Sequence, residues 1–323
     1  MRQLFCIFVA LLCSTASAGV RRWSDNTNAG KVDPKASAAL FVGVRDFDDE
    51  SLTPVPYAVD DAVDLAYELT IDSSAPILEP NRVILAISGD PQKEQTKDKL
   101  KVLLAAGALK YDAGMSNILK FLDSQSRAVG SGGMLFVSFA THGISKDGIQ
   151  YLLTENSLLK FLEETSLTDV RIRDIVAQSG VPRSLILIDA CRERISSDRR
   201  DPGADPRSVA AFIRALRSIN GQVVISAAAP GCYAYDDESR QNGVFTATVI
   251  DGLRCQAGKN SDGYVTADTL YSYVSKSVLA WLREHKNPDA KKATQVQFEG
   301  ESRQMPLSMC VSHTVSASSP RPQ

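Results

Sequence analysis

Short, almost uninterrupted apolar runs recur along the chain and stand between longer segments of mixed polarity. Runs of this kind are typical of strands that are buried on both faces of a parallel sheet. The predicted strands are ALFVGV (39–44), RVILAIS (82–88), GGMLFVSFAT (132–141), SLILID (184–189) and GQVVISAA (221–228). Two further segments are less clear: GIQYLL (148–153) could form a hairpin or minor strand, and RQMPLSMCV (303–311) could add a last edge strand.

The segments between these runs place their apolar residues at helical spacing. Segment 168–180 carries both helix boundary signals, because Thr168 is a candidate N-cap and Gly180 follows the last turn. Alternating strands and helices predict an α/β fold, with helices on both faces of a mostly parallel sheet and a ligand site at the carboxyl ends of the strands. The predicted helical segments are 57–70, 95–129 with a break near Gly114, 168–180, 209–217, 243–253 and 266–282.

The N-terminal segment has the features of a secretory signal peptide. An Arg near the start, an apolar stretch and the ending Ala16-Ser17-Ala18 predict cleavage after Ala18. The alternatives are a buried first strand or an uncleaved anchor, but the apolar stretch is short for a bilayer. We therefore expect a signal peptide (1–18), a flexible mature N-terminus (19–36), one domain (37–312) and a disordered tail (313–323) in a secreted or periplasmic protein without stable membrane insertion.

The composition is that of an ordinary globular protein, with 44% hydrophobic and 23% charged residues among 323. A formal net charge of −2 gives no reason to expect nucleic acid as a partner. After signal removal four cysteines remain, enough for two disulfides, or for one if a cysteine serves as a working thiol. The spacing leaves the pairing open, and the absence of close cysteine pairs argues against structural zinc. These cysteines are Cys191, Cys232, Cys255 and Cys310.

Two of the predicted strands end in residues that could perform chemistry together. His142 and Gly143 follow one strand, and Cys191 follows another. An imidazole can take the proton of a thiol and make it a nucleophile. The N–H groups of Gly143 and Cys191 are candidate donors to an oxyanion. Taken singly, His142 could be a satisfied strand-end histidine and Cys191 a small buried apolar residue, but their joint placement favours a Cys–His pair.

The same residues resemble the caspase-like cysteine peptidases, and most closely the bacterial caspase-like or metacaspase-type members. The resemblance is carried by THG (141–143), DAC (189–191), YAVDDA (57–62), the GVFTATVIDGL segment and DGYVTADTLYSYV (262–274). It implies a six-stranded sheet with five parallel strands and an antiparallel last one. It also implies hydrolysis of peptide bonds in peptide or protein substrates through a thioester, with His142 and Cys191 as the catalytic dyad and no cofactor for the chemistry. Ala140-Thr141 departs from the small Ser-containing pair that family members often show there.

Two carboxylates are candidates for the substrate-binding pocket. Asp189 precedes Cys191 by two residues, and Asp61 lies where the metacaspase pattern places a second acidic pocket residue. Two converging carboxylates would bind a cationic side chain, which predicts cleavage after Arg or Lys. Alternatively, Asp60 and Asp61 form a solvated first helical turn. Arg45 could pair with Asp189, or it could bind an acidic substrate residue.

Three further hypotheses concern regulation and a different role. One hypothesis is that Arg199 and Arg200 are self-cleavage sites in an activation loop; the equally weighted alternative is that they belong to a flexible surface loop. Calcium is a possible activator through the acidic clusters 46–50 and 236–238, for which solvated loop charge is the alternative. Segment 260–270 lacks the full acidic spacing of a calcium loop, so we expect a turn with an N-capping Thr266. The alternative function is a catalytically silent caspase-like domain that binds peptides or protein partners.

Overall fold

The computed structural model describes residues 32–73, 76–146, 149–193, 221–228, 234–285 and 295–310, and gives only the backbone of 191–193. Several sequence predictions lie outside these residues. They are the signal peptide 1–18, most of the N-terminal segment 19–36, the self-cleavage candidates Arg199 and Arg200, the helical segment 209–217, Cys232, and the tail 313–323.

Strands and helices alternate along the described part of the chain, as the apolar patterning predicts. The strands are β1 Ala38–Val44, β2 Val83–Ser88, β3 Leu109–Tyr111, β4 Leu135–Lys146, β5 Ile149–Leu152, β6 Leu167–Thr168, β7 Ser184–Glu193, β8 Gln222–Ser226, β9 Asp236–Asp237, β10 Asn242–Gly243, β11 Tyr264–Thr266, β12 Gln297–Glu299 and β13 Pro306–Met309. The helices are α1 Ala58–Tyr67, α2 Glu94–Ala105, α3 Met115–Ala128, α4 Leu162–Thr165, α5 Asp169–Gln178, α6 Val244–Asp251 and α7 Ala267–His285.

The central sheet has the strand order β12-β8-β7-β4-β1-β2-β3. The strands from β8 to β3 are all parallel, and β12 is antiparallel at the edge. The mostly parallel α/β sheet is therefore confirmed. It is larger than the six strands implied by the resemblance: in the described residues this path has six parallel strands and the antiparallel β12, and the short strands β5 and β6 extend it beside the end of β4 to nine.

Two apolar cores lie on opposite faces of this sheet, which is what side-chain alternation along buried strands requires. On β1, Phe41 faces a core completed by α1, α2, α6 and α7, whereas Leu40 faces a core completed by α3 and α5. Each fully buried Leu or Phe contributes about 1.5–3 kcal/mol. The three-layer arrangement follows because the strands need cover on both faces.

Helix α1 lies unusually close to β1, and a glycine makes this possible. A Cβ at Gly43 would lie 2.5 Å from the carbonyl oxygen of Ala58 and 3.0 Å from Cα of Val59. Any side chain at residue 43 would therefore push the helix outward. This contact fixes the height of α1, and with it the height of Asp61, over the sheet.

The structure also refines several local predictions. The predicted helical stretch 95–129 contains the short edge strand β3 between α2 and α3. Segment 303–311 does contribute a strand, but β13 pairs with β11 outside the main sheet. Thr168 and Thr266 accept hydrogen bonds from the backbone N–H groups of residues 171 and 269, so both predicted N-caps are confirmed.

The structure shows one disulfide, between two of the cysteines whose pairing the sequence left open. Cys255 and Cys310 form a disulfide with their Cα atoms 5.8 Å apart. The bridge joins the segment after α6 to the end of β13. This bridge includes neither Cys191 nor Cys232.

Candidate active site

The carboxyl ends of β4 and β7 bring His142 and Cys191 together. The two parallel strands run in register, with Ala140 opposite Asp189 and His142 opposite Cys191. Neighbouring strands lie about 4.8 Å apart. Gly143 is the next residue of β4, opposite Leu152 of β5 on its other side. A separation of almost fifty residues in sequence becomes a single step across the sheet.

The imidazole of His142 is held by the connection between β1 and α1. Its Nε2 lies 2.7 Å from the carbonyl oxygen of Thr53. Because a carbonyl oxygen only accepts, Nε2 carries the hydrogen and Nδ1 is the basic nitrogen of the neutral ring. Phe47 stacks on the ring with centroids 5.3 Å apart and an interplanar angle of 22°. These two contacts fix both the tautomer and the ring plane.

A cleft with a volume of about 180 Å³ opens beside this imidazole. One wall is apolar and comes from the β1–α1 connection, and the opposite wall carries three carboxylates. The lining residues are Pro54, Val55, Pro56, Asp61, Ala140, Thr141, His142, Asp189, Ala234, Asp236 and Gly243. The predicted pocket residues Asp61 and Asp189 therefore share a cleft with His142.

Asp61 is buried and is held by amide donors. Its Oδ1 accepts from Nδ2 of Asn242 at 2.9 Å and from N of Gly243 at 3.0 Å. The same backbone amide lies 3.2 Å from Oδ2. The alternative of a solvated first helical turn is wrong, because Asp60 and Asp61 are 0% and 4% exposed. Asp60 instead accepts from the backbone amides of residues 92 and 93.

Asp189 acts as a cap for α6 from a distant strand. Its Oδ2 accepts from the Thr246 hydroxyl at 2.7 Å and from the Thr246 amide at 3.1 Å. The suggested pairing with Arg45 is wrong, since the Arg45 guanidinium lies 3.4 Å from Asp46. The carboxylate finds its partners at a helix N-terminus, where free N–H groups favour negative charge.

The two buried carboxylates repel each other in the folded protein. Burial and then the nearby charge of Asp189 raise the pKa of Asp61 well above its usual range. Burial raises the pKa of Asp189 to about 6, against the hydrogen bonds from Thr246 and with the help of the Asp236 charge. Among the described residues, no Lys or Arg forms an ion pair with either acid. A cation entering the cleft would therefore stabilise the ionised form of both.

Asp236 lies at the exposed mouth of the same cleft. The surrounding protein atoms raise the pKa of its carboxyl, and the proximity of His142 opposes that rise. From the sequence, Asp236 was predicted only as part of the acidic cluster 236–238, a candidate site for weak calcium binding. Its neighbour Asp237 points elsewhere and accepts hydrogen bonds from Ser239 and Trp281.

Several residues of the site carried no recognisable sequence signal. Thr53 acts through a backbone carbonyl, which any residue could supply. Asn242, Gly243 and Thr246 lie at the start of the segment that carries the family resemblance, but nothing in their spacing relates them to the acids that they contact. The described residues contain no group of three or more His, Cys, Asp or Glu side chains arranged to hold a metal ion. No helix in the described part of the chain is long and apolar enough to cross a membrane.

The fold is a mostly parallel α/β sheet with His142 and Cys191 in register at its carboxyl edge. The sequence matches the caspase domain over residues 36–316. The chain therefore belongs to the caspase-domain family, which is a family of cysteine-type peptidases and suggests, for this chain, that class of activity on protein substrates. No curated protein sequence matches the chain.

One solved structure supports the fold, and two more align with the chain at similarly low sequence identity. The structure of pro-Sf-caspase-1 aligns with 13% identity over 87% of this chain and 92% of that chain, with a TM-score of 0.51. Caspase-1 from Spodoptera frugiperda aligns with 16% identity over 87% and 89%, with a TM-score of 0.47. A protein from Geobacter sulfurreducens aligns with 14% identity over 85% and 99%, with a TM-score of 0.48. Identities this low are informative about the fold alone.

Proposed function

We propose that this protein is a cysteine endopeptidase that hydrolyses peptide bonds after Arg or Lys. The observation that carries the proposal is the convergence of Asp61 and Asp189 in a cleft that His142 also lines. Both carboxylates are buried without a cationic partner among the described residues. A substrate guanidinium or ammonium group would supply the missing positive charge, and a guanidinium can pair with carboxylates through parallel hydrogen bonds.

The proposed chemistry uses the dyad alone and needs no cofactor. Nδ1 of His142 takes the proton of the Cys191 thiol, and the thiolate sulfur attacks the carbonyl carbon of the scissile bond. The backbone N–H groups of Gly143 and Cys191 donate to the oxygen that becomes negatively charged. His142 then gives its proton to the leaving amine as the C–N bond breaks, which leaves a thioester. Water, deprotonated by His142, attacks the thioester and releases the acid product and the thiol.

The substrate side chain would supply the cationic donors that these two carboxylates lack among the described residues. In the described residues, the hydrogen bonds to Asp189 all reach Oδ2, so its Oδ1 has no donor. Asp61 keeps Oδ2 on the side of Asp189, close to Gly243. Oδ2 of Asp61 and Oδ2 of Asp189 both lie close to Gly243, so the several N–H donors of one guanidinium could reach both carboxylates.

Fluorogenic peptides with Arg, Lys or Asp before the scissile bond test this proposal. Cleavage after Arg or Lys is expected with the full-length protein and not with Cys191→Ala, and parallel assays with calcium and with a chelator test activation. Activity that survives Cys191→Ala would overturn the dyad, and a preference for Asp would overturn the pocket. Binding of these peptides without turnover would favour the silent domain.

Fragments that form with the wild type but not with Cys191→Ala would support self-cleavage at Arg199 or Arg200.

We also propose that the protein acts outside the cytoplasm. The N-terminal apolar segment supports this, and the Cys255–Cys310 disulfide suits an oxidising compartment. Expression with the complete N-terminus, followed by N-terminal sequencing of the exported product, should give a chain that begins at Gly19. A product that stays in the cytoplasm with Met1 intact would contradict the proposal.

A further inference from the structure

The dipeptide Asn242–Gly243 lies against both cleft carboxylates and takes part in no step of the chemistry above. It forms β10 and leads directly into α6. Asn242 is buried, and Gly243 lines the cleft. The dipeptide is separated from Asp61 by more than 180 positions in sequence and is joined to it by hydrogen bonds.

Residue 243 lies at the point where the two carboxylates converge. A Cβ there would lie 2.5 Å from Oδ2 of Asp189 and 2.9 Å from Oδ2 of Asp61. Both distances are shorter than carbon–oxygen contacts allow, so a side chain would displace one or both carboxylates. The backbone of Gly243 is extended, with φ −58° and ψ 136°, which any residue can adopt. Space alone therefore requires a glycine here.

Asn242 fixes the direction in which Asp61 points. Its Oδ1 accepts from Nζ of Lys93 at 2.6 Å, and its Nδ2 donates to Asp61 at 2.9 Å and to Asp64 at 3.2 Å. Because the Lys93 ammonium only donates, the amide cannot be turned over without losing contacts on both sides. The orientation set by Lys93 thus keeps the amide N–H groups of Asn242 on Oδ1 of Asp61 and on Asp64.

We propose that Asn242 and Gly243 determine the selectivity of the cleft for a basic side chain. Because Gly243 has no side chain, both carboxylates can pack against the same point of the backbone and face one cation together, and Asn242 is a positioning residue that holds Oδ1 of Asp61. The inference rests on the proposed function, which names the reaction. It adds two specificity-determining residues that touch the carboxylates rather than the scissile bond.

Gly243→Ala is the direct test, and Gly114→Ala is its matched control. Gly114 also begins a helix from an extended backbone, with φ −70° and ψ 149°, but the nearest atom to its Cβ would be 3.5 Å away. Each full-length protein is assayed with two peptides that differ only in Arg or its neutral isostere citrulline before the scissile bond. We expect the Arg-to-citrulline ratio of kcat/KM to fall by roughly tenfold to a hundredfold in Gly243→Ala, the range for lost hydrogen bonds to a charged group. Gly114→Ala should keep the wild-type ratio.

Asn242 variants give a second readout that a packing role would not produce. Asn242→Ala should raise KM for the Arg peptide by about tenfold while kcat changes little, because only orientation of the binding carboxylate is lost. Asn242→Asp keeps the size of the side chain but replaces a donor by a charge beside Asp61. If Asn242 positions Asp61, the Asp variant should lose at least as much selectivity as the Ala variant. If Asn242 only fills space, the Asp variant should be the milder.

The outcomes separate this inference from the proposed function. A wild type that cleaves after neither Arg nor Lys would overturn the proposed function. A wild type that prefers Arg, together with a Gly243→Ala variant whose ratio stays within about twofold, would overturn the inference alone. The rate at which iodoacetamide alkylates Cys191 checks that each variant is folded at the dyad. If Gly243→Ala is not folded, the inference is tested by the Asn242 variants alone. It is overturned if Asn242→Asp loses less selectivity for Arg than Asn242→Ala.

Discussion

Asp61 and Asp64 are both buried acids of α1, one turn apart, yet their surroundings differ in one decisive respect. Asp64 lies 2.5 Å from the ammonium of Lys93 and 2.9 Å from that of Lys99. In the part of the chain that the structure describes, the polar groups around Asp61 are amide donors and nearby carboxylates, and no ion pair is formed. The same residue type on the same helix thus has complete charge compensation at one position and none at the other.

The pKa values of the two acids differ accordingly. Burial alone would raise the pKa of Asp64, but Lys93 and Lys99 outweigh it and lower the pKa. Burial and Asp189 raise the pKa of Asp61. A protein that stabilises one buried carboxylate with its own lysines has no structural need to leave the next one unpaired. The difference in pKa supports the proposal that Asp61 binds a ligand, whereas the ion pairs of Asp64 stabilise the fold.

Removal of the cleft charges should have the largest effect on the cleavage of Arg peptides. Asp61→Asn or Asp189→Asn should cost about 2–5 kcal/mol of transition-state binding for Arg peptides, as is typical when a buried charge pair is broken. This corresponds to a fall of roughly 30-fold or more in kcat/KM. The free energy of unfolding should not fall, because the repulsion between the two acids is relieved. A large loss of stability with unchanged kinetics would assign Asp61 to the fold instead.

Asp64→Asn should produce the converse result. It leaves Lys93 and Lys99 partly buried without their counter-charge, which should lower the free energy of unfolding by about 3 kcal/mol. Urea unfolding followed by circular dichroism measures this loss. Under conditions where the variant is folded, its Arg-to-citrulline ratio should stay close to that of the wild type. A selective loss of Arg cleavage would remove the distinction between the two acids.

Gly43→Ala should affect both acids together by a smaller amount. The added methyl group meets the backbone of α1 and displaces the helix that carries Asp61 and Asp64. Overpacking of this kind costs about 1–3 kcal/mol. We expect a lower melting temperature and a higher KM in the same variant. A change in only one of the two would show that α1 can move without moving its acids.

The smallest expected effect is on pH dependence, where the cleft acids and Asp64 should change stability in opposite directions. Because the pKa of Asp61 and Asp189 is raised, they bind protons in the folded state that the unfolded chain has released, so their effect is a loss of stability as the pH rises from about 4 through 6. The contribution of Asp64 has the opposite sign and is lost as the pH falls below its unfolded pKa. KM for Arg peptides should fall by about tenfold per unit as the pH rises toward 6.

These pH effects can be assigned with one variant. The double variant Asp61→Asn/Asp189→Asn should abolish both the fall in stability and the dependence of KM, while the acid-side loss due to Asp64 remains. Unfolding curves at several pH values, together with KM profiles for the Arg peptide, measure the two effects separately. A KM that is independent of pH in the wild type would mean that the cleft acids do not bind the substrate cation.

The core strands, the residues at their ends and two helix N-caps could be predicted from local sequence. The apolar runs predict the core strands, because a strand covered on both faces must be apolar throughout. His142 and Cys191 follow two such runs, and parallel strands end at one edge, so their meeting could be predicted from the sequence. Thr168 and Thr266 cap helices through contacts within a few residues, which is why their roles were also predictable.

The tertiary structure alone decided which group contacts which. Asp60, Asp61 and Asp64 are equivalent in a helical pattern, and only the folded chain brings the Lys93 ammonium to Asp64 and the Gly243 amide to Asp61. The disulfide partner of Cys255 and the helix that Asp189 caps are likewise distant in sequence. Hydrophobic patterning acts over a few residues and sets the strands and helices, whereas charge compensation and hydrogen bonding act through space between segments that folding alone brings together.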